Sequence, residues 1–404
     1  MTNRRLFLKN AAVAMAGMGA VPLWLSRALY AADTARKKTL IAIFQRGAVD
    51  GLNMVVPHGD KRYYEIRPNI AIAKPGQNGG ALDLDGFFGL HPALEPLMGA
   101  WKDRKLAIVE AAGSPDPTRS HFDAQDYMDS GTPGRKSTQD GWLNRALTPG
   151  VVAASPVRAV SMGPALARTV RGRQEAVAIN SLKDFKIPDP RNSQSFESMY
   201  ASTLDKVLNG TSKETFSAVR TVQGIEKQEY TPANGAEYPD TKFGNSLKQI
   251  ARLIKADVGL EVAFADMGGW DTHVNEVPQL QNLLRDFGST LGAFYRDMGD
   301  RMADVTLVTM SEFGRTAREN GNRGTDHGHA NSMLVMGGDV KGGKVYGDWP
   351  GLENEQLYEN RDLAVTTDFR DVLSELVMGE MGNRRVEDVF PGYTKVKFRG
   401  ILSA

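Results

Sequence analysis

Short apolar runs alternate with helical stretches along most of this chain. Thr39–Phe44 (TLIAIF) is a short, mostly apolar run rich in β-branched residues and reads as a buried strand. Pro92–Lys102 has the spacing of an amphipathic helix, and Leu106–Ala111 is the next strand. Thr118–Met128 opens another helix after a Gly/Pro turn. The second half repeats the scheme. Ser246–Lys255 is helical, Leu260–Ala265 extended, and Pro278–Met298 a long helix with Leu280, Leu283, Leu284, Phe287, Leu291 and Phe294 on one face. Val305–Met310 and Ser332–Met336 are further strands, and Thr366–Met378 is a late helix with a capping pattern. Strands alternating with helices predict parallel β–α units and hence an α/β fold.

The span from about 150 to 245 is less regular. Val157–Met162 and Ala176–Ile179 read as short strands, Ser195–Leu208 as a helix and Gln228–Lys242 as a loop, which suggests a cap or insertion. The first 32 residues are set apart. Arg4-Arg5 followed by Phe7-Leu8-Lys9 and a mildly apolar stretch to Leu25 resembles a twin-arginine (Tat) export signal, too short to span a bilayer comfortably. The expectation is a Tat signal over 1–32, one domain over 33–404, passage through the Tat translocase, a periplasmic or otherwise exported mature protein, and no stable membrane span.

Composition narrows the chemistry. A formal net charge of +1 over 404 residues gives no nucleic-acid footprint. With no cysteine, thiolate metal sites, Fe–S clusters, disulfides and cysteine nucleophiles are excluded. Histidine is scarce, yet four of the six histidines fall in polar clusters that mostly follow predicted strands. Asp271 and His273 (GGWDTH) are two apart, as are His327 and His329 in DHGHA, where Asp326 is either a further ligand or the partner that orients an imidazole. Asp50 and Glu312 each lie just past a strand's C-terminal end, where sites form in open α/β sheets. Imidazole with carboxylate favours Zn²⁺ or Mn²⁺ over Ca²⁺ or Mg²⁺. Ser120, flanked by Arg119 and His121, sits at a predicted helix start, where it is either a cap or a nucleophile, with Thr118 as the competing hydroxyl. Arg46, Arg119 and Arg315 are candidate clamps for an anion. The polar stretch Arg315–Arg323 reads as mobile.

In order, the twin-Arg leader, RGAVDGLN, RSHFDAQDYMDSG, GGWDTH, SEFGRT and DHGHA resemble the exported bacterial family DUF1501 over nearly the whole mature chain, and more distantly the alkaline phosphatase superfamily with its sulfatases. That resemblance implies a three-layer α/β/α sandwich and a metal-dependent hydrolase whose hydroxyl nucleophile attacks a phosphate or sulfate ester. It further implies that Ser120 is the nucleophile, with Arg119 and His121 beside it. Asp271, His273 and His327 or His329 would hold one ion, and Asp50 and Glu312 a second. The chain departs from the superfamily in three ways. The Asp–His spacing is short, Phe313 stands where a second-metal histidine is usual, and no cysteine occupies the sulfatase position. One or two divalent ions, a small anionic ester or an envelope glycan as substrate, and a non-catalytic anion- or glycan-binding protein of the same fold as the alternative, complete the expectations.

Overall fold

The computed structural model describes residues 38–148, 155–183 and 218–403. Its organising element is β1 (Thr39–Arg46), in which every residue but Arg46 is buried. A strand covered on both faces must be apolar on both. Ile41 and Ile43 enter one core, and Leu40, Ala42 and Phe44 enter the other. Around it lie β2 (Leu106–Gly113), β3 (Ala159–Met162), β4 (Val177–Ile179), β5 (Val262–Gly268), β6 (Val305–Met310), β7 (Asn331–Gly337), β8 (Lys344–Tyr346) and β9 (Thr367–Asp368). The sheet order is β8-β2-β7-β6-β1-β5-β3-β4, with β9 beside β2. All pairings are parallel except those of β7 with β6 and β2. Val55–Val56, Leu82–Asp83 and Gly89–Leu90 form a small separate antiparallel sheet.

Helices complete three layers. One face carries α2 (Lys242–Lys255), α3 (Glu276–Met298) and the Pro92–Lys102 segment, whose first turns are 3₁₀ and whose end is α-helical. Thr241 caps α2 by accepting a hydrogen bond from the Gly244 amide at 2.9 Å. The opposite face carries α4 (Phe369–Glu380), with Phe369, Val372, Leu373, Leu376 and Val377 in the core, and the short Trp142–Ala146 helix. The α/β/α sandwich expected from the sequence is therefore the observed fold. The expected helix Ser195–Leu208 and the export signal over 1–32 lie outside the described residues, as does much of the expected insertion over 150–245.

The order of the strands positions the site. Parallel β1, β2, β5 and β6 end at one edge of the sheet, and the reversed β7 begins there. The loops after β1 (47–50), β2 (114–120), β5 (269–273) and β6 (311–315) therefore meet the loop that leads into β7 (326–330). The first of these fits only because residue 47 is glycine. Its φ is +117°, and a Cβ there would lie 2.9 Å from the Asp271 amide nitrogen.

One core residue opposes the fold's stability. Glu110 on β2 is buried, and neither of its oxygens finds a hydrogen-bond partner of ordinary geometry. Burial pushes its pKa up to about 8, only partly offset by the nearby Ser332 hydroxyl and Ala111 amide. The unfolded chain releases this proton near its ordinary value of 4.5 whereas the folded one holds it to about 8, so stability falls as pH rises between the two. Glu110→Gln is expected to match the native protein's melting temperature near pH ~5 and to exceed it by several degrees near pH ~8. Parallel pH profiles in calorimetry would contradict this.

Candidate metal centre

At that sheet edge two imidazoles close on a third, that of His327. His121 is the first residue of α1 (His121–Ser130), His273 follows β5 and His327 precedes β7. The Nε2 atoms of His121 and His327 are 3.0 Å apart, and those of His273 and His327 3.1 Å apart. Asp271 completes the group. Its Oδ1 lies 2.9 Å from His273 Nε2 and 3.1 Å from His327 Nε2, and its Oδ2 3.5 Å from His121 Nε2.

The other ring nitrogens fix the tautomers. His121 Nδ1 donates to Glu312 Oε1 at 2.8 Å, His273 Nδ1 to Asp326 Oδ1 at 3.0 Å, and His327 Nδ1 to the Arg119 carbonyl at 2.9 Å. A carboxylate or carbonyl only accepts, so all three protons sit on Nδ1 and each neutral ring presents a lone pair at Nε2. Lone pairs facing one another at 3.0 and 3.1 Å repel unless positive charge lies between them. Protons or a cation supply it. Four donors at bond lengths of ~2.0–2.1 Å around zinc stand about 3.3 Å apart. Among His121, His327 and Asp271 the contacts of 3.0 to 3.5 Å match that spacing and the three ligand atoms lie within 4.8 Å of one another, so these three fit a divalent ion, with His273 Nε2 set against His327 and Asp271 beside them.

Each support is itself held. Burial alone would raise the Glu312 pKa, but hydrogen bonds from His121, from Gln125 Nε2 and from the Gly47 amide outweigh it and hold the carboxyl low. The Glu312 hydrogen bond raises the His121 pKa, while burial and the neighbouring His121 lower that of His327. Burial also works against the ionised Asp271, yet the Arg315 guanidinium, with Nη1 2.6 Å from Oδ1, keeps its pKa below the usual range. Arg315 is buried and is fixed in turn by the Thr325 hydroxyl and carbonyl. Gly328 lets the His327 loop pair with Arg315, since a Cβ there would stand 2.3 Å from the Arg315 carbonyl.

The structure corrects several expectations. Asp50 is not in the cluster. It is buried, and both its oxygens face Arg67, Oδ2 accepting from Nη1 at 2.5 Å and Oδ1 from Nη2 at 3.0 Å. His329 is also apart. Its Nε2 donates to the Ser114 carbonyl at 3.0 Å, and its ring lies 4.5 Å from that of Tyr358. Glu312 and Asp326 meet Nδ1 atoms instead of the convergence point. His121, expected beside the nucleophile, points its Nε2 into the cluster. None of the three candidate anion clamps is unpaired. Arg46 bonds Asp129 and Asp266, Arg119 bonds Asp362 and Glu359, and Arg315 bonds Asp271. The polar stretch 315–323 is tied down, because Arg67 donates to the Thr316 and Ala317 carbonyls. Ser120 is the exposed N-cap of α1, and its hydroxyl makes no capping hydrogen bond. Phe122, Val274 and Val277, three of the exposed large apolar side chains, follow closely on His121 and His273 in the chain.

Arg67 and Glu276 had no signal in the sequence. Glu276 begins α3, with Oε2 accepting from the Thr325 hydroxyl at 2.6 Å. Burial and the adjacent Asp50 carboxylate push its pKa well above the usual range. Burial would raise Asp50 too, but the Arg67 charge prevails and holds it low. Glu276, Thr325 and Arg315 thus join this buried network to Asp271.

An α/β/α sandwich with a histidine–carboxylate cluster at the C-terminal edge of its parallel strands defines the class of protein. The chain belongs to the DUF1501 family, described as proteins of unknown function, whose profile matches residues 71–387. No curated protein matches it. Among solved structures, it is similar to the zinc complex of the C-terminal periplasmic domain of EcEptC from Escherichia coli, at 9% identity over 75% of this chain and 74% of that one, with a TM-score of 0.35. It is also similar to the lipoteichoic acid synthase LtaP from Listeria monocytogenes, at 9% identity over 87% of this chain and 74% of that one, with a TM-score of 0.36.

Removing one partner of a buried ion pair strands the other charge and costs about 3–5 kcal/mol. Arg67→Met is therefore expected to lower stability by that order in denaturant melts. Pairing it with Asp50→Leu should recover most of the loss, and failure of the double variant to recover would refute the assignment.

Proposed function

We propose that this protein is a metal-dependent hydrolase of a phosphate or sulfate ester, exported through the Tat pathway, with one divalent cation held by His121, His327 and Asp271 and flanked by His273. The observation that carries this reading is the convergence of the His121 and His327 Nε2 lone pairs with the Asp271 carboxylate, every Nδ1 proton being already committed. Zinc or manganese suits imidazole with carboxylate better than calcium or magnesium. A single ion is proposed because Asp50 is taken up by Arg67 and Glu312 by His121, Gln125 and Gly47. When bound, such a cation supplies Lewis acidity toward an ester oxygen.

The chain's own residues have distinct tasks. Ser120 Oγ is the proposed nucleophile, and its uncommitted hydroxyl beside His121 supports that role. Its attack on phosphorus or sulfur breaks the bond to the ester oxygen, the Ser120 proton passes to the solvent it faces and the departing alkoxide takes one from that solvent to leave as the alcohol, and water then cleaves the ester formed on Ser120. The first helical hydrogen bond of α1 runs from the Ala124 amide to the Ser120 carbonyl. The amides of residues 121–123 precede that bond and suit an anion. Glu312 and Asp326 orient their imidazoles, and Arg315 keeps Asp271 ionised.

One observation favours the alternative of a non-catalytic anion- or glycan-binding protein. Arg46, Arg119 and Arg315 are all paired, so none is spare to clamp the reacting group. Ser120→Ala separates the readings. For the hydrolase, turnover of aryl phosphates or sulfates should fall at least ~100-fold while bound metal stays near one equivalent. Loss of neither would exclude the nucleophile. His327→Ala and Asp271→Ala should lose the metal itself, measured by elemental analysis after dialysis. Because loading displaces protons from the imidazoles, calorimetric titration with zinc in buffers of different ionisation enthalpy should register proton release that grows as pH falls from ~7 to ~6. No release would count against imidazole ligation.

A further inference from the structure

Among the described residues four large apolar side chains are exposed, and three of them border the cluster. Phe122 follows His121 and is 90% exposed, Val274 follows His273 and is 55% exposed, and Val277 stands at 39% in the first turn of α3. The fourth, Phe398, belongs to the C-terminal segment. Single exposed apolar residues are ordinary on a protein surface, but a group gathered round one site marks a place where something apolar is bound.

The backbone holds these side chains where they are. On α1, which turns about 100° per residue, Ala124 and Met128 are buried, and His121 and Gln125 come next round the helix, both reaching Glu312. Phe122 is the following position, on the solvent shoulder of the side that faces the cluster. Asp123 and Asp126 lie beyond it, paired with Lys136 and Arg168. Beside His273, Asn275 takes a left-handed φ of +47°, and the Asn275 and Glu276 amides donate to the Asn322 and Arg323 carbonyls at 2.9 Å. Val274 is thus exposed on fixed backbone. The two segments meet at His327, whose Nε2 is 3.0 Å from that of His121 and 3.1 Å from that of His273. The guanidiniums nearest this mouth are committed, Arg119 to Asp362 and Glu359, and Arg315 to Asp271. An anion drawn to a cation in the cluster is therefore met on its outer side by hydrocarbon.

We infer that Phe122, Val274 and Val277 form an apolar rim that receives the alcohol portion of the substrate, so that the preferred ester is amphiphilic, a phosphate or sulfate carried on an apolar alcohol. The inference rests on the reading of the cluster as the place where the ester is cleaved. It is tested with the full-length, zinc-loaded protein by equilibrium titration with methyl, butyl and hexyl phosphate, with the matching sulfates, and with a sugar monophosphate. In at least one series the hexyl ester should bind ~10-fold or more tightly than the methyl ester. Phe122→Ser, at a side chain outside the core, should shrink that ratio, and Phe122→Leu should keep most of it. Phe122→Ser with Val274→Ser and Val277→Ser should bring the ratio close to unity, with zinc content measured on every sample. A flat series, a ratio that survives the triple variant, or the same dependence on chain length in zinc-free protein overturns the rim. So does a sugar monophosphate that binds more tightly than hexyl phosphate. Turnover is read on the same samples. Preference for the longer chain without hydrolysis of any ester would sink the hydrolase and keep the rim, whereas hydrolysis and binding indifferent to chain length would do the reverse.

Discussion

Repulsion among three imidazole lone pairs is the constraint on which the site depends. Each ring is locked from behind, by Glu312, by Asp326 and by the Arg119 carbonyl, so none can rotate to relieve the contact without losing a hydrogen bond. The chain has therefore built a place where positive charge must reside. Its second acid–base layer is what makes that demand persistent. Glu312 and Asp271 stay ionised because buried donors outweigh the penalty of burial.

Strand direction converts this local chemistry into a fold requirement. The ligands come from three loops far apart in sequence, and they meet because parallel strands finish where the single reversed strand starts. Gly47 permits the β1 and β5 loops to touch, and its own amide donates to Glu312. Close backbone approach and ligand support are thus served by one residue. Beneath, the buried Asp50–Arg67 pair and Glu276 tie the start of α3 to the loop that carries Arg315 and Thr325.

Much of this was legible from residue order. β6 spans the predicted Val305–Met310, and the strand starting at Thr39 and the long helix ending at Met298 agree at those ends. Their signals are strong because all three lie in continuous apolar or helically periodic stretches. Scarcity made the histidines conspicuous, and spacing brought forward Asp271, His273 and His327. Local pattern could not reveal partnership. Asp50 and Glu312 occupy equivalent places past strand ends, and only the fold brings Arg67 to one and His121 to the other. His327 and His329 were indistinguishable because a loop conformation, not spacing, sends one inward and the other to Ser114. Nothing in an apolar run such as Ser332–Met336 shows that it runs against its neighbours. Arg67 sits in an ordinary polar stretch, and its burial is decided by tertiary structure alone.

The position of β1 bears on where this protein can be divided. The family profile starts at residue 71, yet the strand at 39–46 joins β5 to β6 through hydrogen bonds on both edges. A fragment trimmed to the matched span would lack the plank that bridges the two halves of the sheet, along with Gly47, and would expose two apolar strand edges to association. The unit that folds begins upstream of the unit by which relatives are recognised.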